Sequence, residues 1–73
     1  MKIGTIVKVR NNLIDGQKDG QFTFRDYMSK YKGVYAKVIK ITKPLPEEHM
    51  DEIRLDIDGG KFLWDIAMFS EIK

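Results

Sequence analysis

Seventy-three residues leave room for one small domain, and a composition that is 42% hydrophobic and 33% charged excludes a multidomain enzyme, a membrane span and a disordered tail. The absence of cysteine removes disulfides, thiolate metal sites and thiol nucleophiles. Net charge is only +2, yet ten basic residues oppose three acidic ones up to Lys43, a local +7, and three oppose eight beyond it, a local −5. Folding then leaves either a basic and an acidic face or neutralised strand pairs.

Met1-Lys2-Ile3-Gly4 leads straight into alternation without an apolar stretch of signal-peptide length, so Met1 reads as the initiator and a cytoplasmic protein is expected. Thr5, Val7 and Val9 share one parity and Lys8 and Arg10 the other, which predicts a strand over 5–10 with Val7 and Val9 inward. Asn11 to Gln21 carries two Asp-Gly steps and only Leu13 and Ile14 as apolar residues, and so predicts a long loop pinned to the core by one of those two.

Thr23-Phe24-Arg25-Asp26 reads as a capping box, with Phe24, Tyr27, Met28 and Tyr31 following at helical spacing and Gly33 placed to end the turn. One short α-helix is expected over about 24–32, too short to stand without a sheet beneath it. Val34 to Thr42 predicts a strand whose inward parity changes from Val34, Ala36 and Val38 to Ile39 and Ile41, which implies a bulge near Val38 to Lys40 or a strand end buried on both faces. Lys43-Pro44-Leu45-Pro46 leaves the sheet, and Glu47 to Glu52 makes an acidic connection.

Ile53 to Ile57 and Lys61 to Ile66 flank Gly59-Gly60 and predict a hairpin. A two-residue turn sets Ile57, Leu55 and Ile53 opposite Phe62, Trp64 and Ile66, with Arg54 against Asp65 and Asp58 against Lys61 outside. Trp64 then belongs to the core rather than to an exposed peptide-binding surface. Ala67 to Phe69 forms a short turn before Ile72. Short strands, frequent turn signals and one short helix predict a mainly β domain, a small five-stranded, partly open barrel over 1–73.

Gly4-Thr5-Ile6-Val7-Lys8-Val9-Arg10, Tyr27-Met28-Ser29-Lys30-Tyr31-Lys32-Gly33 and Phe62-Leu63-Trp64-Asp65-Ile66-Ala67-Met68-Phe69 together give the chain its likeness to a known group. It resembles small phage, prophage and Firmicutes proteins with a Src-homology-3-like barrel, and is distantly similar to the Mind bomb/Herc-type domain. The 11–21 loop and the 44–52 connection depart from that pattern. The resemblance implies a non-enzymatic binding module from a phage or mobile element and assigns no partner.

His49, the sole histidine, lies among Glu47, Glu48, Asp51 and Glu52; the segment reads as a solvated acidic loop, since one imidazole without thiolates lacks the ligand set of a closed zinc site. Asp56-x-Asp58-x-Gly60 fails as a calcium loop, because its glycine position falls on Lys61 and its bidentate position on Ala67. Neither Ser29 nor Ser70 sits in a nucleophile elbow, so no enzyme, metal or cofactor is expected.

The strongest functional signal is the interleaving of basic and aromatic residues between Arg25 and Lys43, with Arg25, Lys30, Lys32, Tyr35, Lys37 and Lys40 as the candidate binding residues. Lysines beside exposed rings suit phosphates and stacked bases, or an acidic protein surface. The competing reading packs Tyr27 and Tyr31 under the helix and leaves the lysines as its wet face. Arginine is scarce, which weighs against specific base readout. The sequence therefore leads to the expectation of a host protein as partner, modulated by binding, with nucleic acid as the alternative, and of a monomer or weak dimer.

Overall fold

A computed structural model describes residues 1–20, 22–43 and 51–73. Alternation dominates the backbone and gives six short strands: β1 (Ile6–Val9), β2 (Lys18–Asp19), β3 (Phe22–Thr23), β4 (Tyr35–Thr42), β5 (Glu52–Leu55) and β6 (Phe69–Ile72). Four of them form an antiparallel sheet in the order β5-β4-β1-β6, and β2 and β3 form a separate hairpin. The domain is mainly β with little helix, and the four-stranded sheet does not close on itself. A closed ladder is therefore not seen, and the radius of gyration of 11.3 Å is that of a compact chain of this length.

β1 follows its sequence pattern, with Val7 and Val9 fully buried. β4 carries the anticipated irregularity: its register with β5 shifts between Val38 and Lys40, so Ala36 and Val38 point inward before the shift and Ile41 after it. The extra residue, Ile39, is left outside, while Tyr35, Lys37 and Lys40 stay exposed. Leu13, not Ile14, pins the 11–21 segment to the core. That segment is more ordered than a loop, since pairing continues past β2 and β3 through Phe24 N to Gln17 O at 3.0 Å and Gly16 N to Phe24 O at 2.8 Å.

The expected α-helix over 24–32 is a 3-10 helix over Asp26–Tyr31. Thr23 belongs to β3, and no side chain of the residue at the N-cap position, Arg25, bonds the helix; Asp15 Oδ1 instead accepts from the Asp26 amide at 2.7 Å. Six residues held between β3 and β4 cannot propagate an α-helix, and the tighter turn suffices to bury Met28. Gly33 ends it at φ +75°, as its position indicated.

The second hairpin departs from the expected register. Ile53 pairs with Trp64, where Leu55 was expected, and β5 stops at Leu55 in favour of a 3-10 turn over Asp56–Asp58. Asp58 explains the change. Its carboxylate accepts from the amides of Gly60, Lys61 and Phe62 at 2.9–3.2 Å and from Trp64 Nε1 at 3.0 Å, fixing a longer loop than two glycines require. The two-residue slip preserves parity, so Ile53, Leu55 and Trp64 remain buried. The anticipated outer pairs do not form: Arg54 donates to Gly60 O at 2.6 Å, and Asp65 is fully buried.

Asp65 then accepts from the Ala67 amide at 2.9 Å and caps a 3-10 turn over Ile66–Met68. Arg10 holds that turn from below, donating to Ala67 O at 2.9 Å, and the chain proceeds into β6 against β1. The core gathers Phe24, Leu55, Trp64 and Met68 around the β1 valines.

Candidate functional site

The six basic and aromatic residues singled out between Arg25 and Lys40 are split between two surfaces. Arg25 and Lys30 are exposed at the two ends of the 3-10 helix, and Lys32 is half-buried with its ammonium 5.4 Å from the Phe24 ring centroid. Tyr35, Lys37 and Lys40 project from the outer face of β4.

On that outer face antiparallel pairing lines up Tyr35, Lys8 and Glu71 across β4, β1 and β6. The Tyr35 hydroxyl donates to Glu71 Oε2 at 2.9 Å, while Lys8 and Lys73 approach the same carboxylate at 3.8 and 3.4 Å. The two ammonium groups also sit 5.4 and 5.0 Å from the Tyr35 ring centroid. Glu71 is held below the ordinary carboxylate range, chiefly by the Tyr35 hydrogen bond; desolvation, the next largest effect, opposes the shift, and Lys73 and then Lys8 add to it. Lys73 is raised, chiefly by its bond to Glu71. Tyr35 is thus committed to its own sheet and is not a free stacking platform.

The second surface lies where the 3-10 helix meets the Gly59 to Leu63 loop. Tyr27 is 60% exposed and its ring centroid lies 5.0 Å from that of Phe62, tilted by 37°. Tyr31 supports the pair from the core side, edge-on to Phe62 at 6.3 Å and to buried Trp64 at 6.1 Å. Expectation therefore divides between the tyrosines: Tyr31 packs inward and Tyr27 does not.

Two open hollows lie beside the rings: one of about 330 Å³ has Phe22, Arg54, Lys61 and Phe62 among its walls, and the other is lined by Tyr27, Lys30, Lys61 and Phe62. Lys30 and Lys61 lie 5.2 and 5.4 Å from the Tyr31 and Phe62 ring centroids. No carboxylate of the described residues forms an ion pair with Lys30, Lys61 or Arg54. Lys61 and Arg54 were not legible as site residues because the expected turn paired them with Asp58 and Asp65, and Phe62, expected in the core, does pack partly against it while its ring also meets Tyr27. Their signal was present only as a charge beside an aromatic residue.

Among the described residues no cluster of three or more acidic, histidine or cysteine side chains could hold a metal. His49 lies outside the described residues, and so does the expected acidic connection over Glu47 to Glu52 except for its last two residues, of which Glu52 opens β5. No helix among the described residues is long and apolar enough to cross a membrane. Comparison with known protein families, with curated proteins and with solved structures finds no match to this chain.

Proposed function

We propose that this chain is a Src-homology-3-like barrel acting as a non-catalytic binding module, encoded by a phage or mobile element and working in the cytoplasm. It docks on a host protein and modulates it. The strand order supports the barrel reading: β6, β1, β4 and β5 lie side by side, Trp64 extends the β5 edge by one bridge, and the 66–68 turn carries the chain back to β1. The chain's path thus links the two edges of the sheet even though the ladder stays open.

The observation that carries the binding reading is the open Tyr27–Phe62 ring pair beside Lys30 and Lys61. Accessible aromatic rings, tyrosine among them, are enriched at protein interfaces and in their hot spots, and lysines at the rim steer association. Nucleic-acid binding is the second reading, favoured by the same rings and lysines. It is weakened by Tyr35, whose hydroxyl is tied to Glu71 and whose ring is flanked by Lys8 and Lys73 instead of standing free to stack.

Affinity capture from bacterial lysate with the tagged protein, nuclease-treated and untreated in parallel, separates the two. One protein recovered from both samples is the expected result. Recovery that disappears with nuclease makes nucleic acid the ligand, and a gel shift whose affinity falls steeply with salt then supports it.

A further inference from the structure

β4 and β5 face Lys40 directly against Arg54 on the outer side of the sheet, a like-charge pair that disfavours the strand contact. The Arg54 guanidinium turns away to Gly60 O, and its side chain walls the hollow together with Lys61. Lys30 lines a second hollow that shares Tyr27, Lys61 and Phe62 with the first. Three cations thus line two hollows that share the Tyr27 and Phe62 rings, and no carboxylate of the described residues forms an ion pair with them. An empty site of this kind repels cations and leaves the Tyr27 ring in water. A ligand that removes both penalties is anionic at its periphery and apolar at one point.

Resting on the protein-binding reading above, we infer that the hollow between Tyr27, Phe62 and Arg54 receives an acidic peptide segment of a partner protein, with one apolar side chain inserted beside the two rings. The carboxylates of the segment meet Lys30, Lys61 and Arg54. An arginine–carboxylate pair supplies the directional contact, and the lysines act as point charges that speed association. A single ring pair fits one apolar side chain of a peptide better than a strand of successive stacked bases, because the other exposed tyrosine, Tyr35, lies on the separate outer face of β4, bound to Glu71.

The test is an amide NMR titration of the intact, isotope-labelled protein with a synthetic dodecapeptide of glutamate and serine around a central Leu-Phe. Two further titrants are the same peptide with Ser-Ser in the centre and dodecathymidylate. The expected result is shift changes confined to the amides of Tyr27, Lys30, Lys61 and Phe62, with affinity roughly tenfold weaker for the Ser-Ser peptide. Lys61→Glu and Tyr27→Ser, both at exposed side chains, weaken the Leu-Phe peptide by a similar factor while the rest of the spectrum stays dispersed.

Equal binding of the two peptides, changes centred on Lys37 and Lys40, or no response to either peptide overturns the inference and leaves the wider binding-module reading intact. Stronger shifts with dodecathymidylate at the same amides overturn both. Shifts at the hollow that appear on simple concentration of the free protein make a second copy the occupant and likewise overturn the inference.

Discussion

Asp58 turns one carboxylate into four acceptor contacts, three to loop amides and one to the indole of a fully buried tryptophan. Hydrogen bonds to a charged acceptor are worth more than neutral ones, and losing this one strands the Trp64 N–H in the core. Asp58→Ala is expected to lower stability by about 3 kcal/mol, read from the urea midpoint of Trp64 fluorescence; an unchanged midpoint contradicts this role. Tyr35 is a second residue with a defined charge effect. Because Glu71 has a lowered folded-state pKa, its contribution is present above the ordinary carboxylate value and is lost as pH falls through the lowered one. Tyr35→Phe removes the largest cause, so the Glu71 carboxyl, followed by carbon NMR, should titrate at higher pH than in the wild type and the acid limb of stability should flatten. Neither role was legible in the sequence. Asp58 read as an outer charge partner of Lys61 beside the glycine turn, and nothing local brings Tyr35 to Glu71; only the strand register does.

Elements built on alternation were the legible part. Val7 and Val9 identify β1, and the parity change along β4 marks the bulge in its pairing with β5. Parity also explains the main error. A hairpin register displaced by two residues keeps every side chain on its face, so hydrophobic pattern alone cannot distinguish Trp64 opposite Leu55 from Trp64 opposite Ile53. Helical spacing misled differently, since a 3-10 turn buries the same Met28 that an α-helix would. The β2–β3 hairpin went unseen because its strands are two residues each. Its turn nevertheless makes a sharp demand. Gly20 adopts φ +69°, and a Cβ there would collide with the buried Asp65 carboxylate, whereas Gly59 at φ +67° has open space around it. Gly20→Ala should therefore cost about 2 kcal/mol or more and exceed Gly59→Ala, for which backbone conformation alone predicts about 1 kcal/mol. Thermal unfolding of the two variants checks the order, and equal losses would show that the Gly20–Asp65 approach imposes no constraint.

For the molecule as a whole, charge is arranged by register rather than by position along the chain. Glu71 from the acidic half pairs with Lys8, so one part of the basic half is balanced across strands. Lys40 against Arg54 and the cations around the Tyr27–Phe62 hollow remain uncompensated among the described residues. The basic character found in the sequence was thus real, but the candidate site drawn from it ran along the chain from Arg25 to Lys40, whereas the open surface is assembled from Tyr27 and Lys30 together with Arg54, Lys61 and Phe62. A contiguous stretch could not reveal a site completed by a loop three dozen residues away in order of magnitude. The most direct measurement compares lysate capture by the wild type, by Lys30→Glu/Lys61→Glu and by Lys37→Glu/Lys40→Glu, all nuclease-treated and quantified for the same recovered protein. The hollow variant should lose that protein while the β4 variant retains it. Retention by the hollow variant and loss by the β4 variant would contradict the assignment of binding to the Tyr27–Phe62 surface.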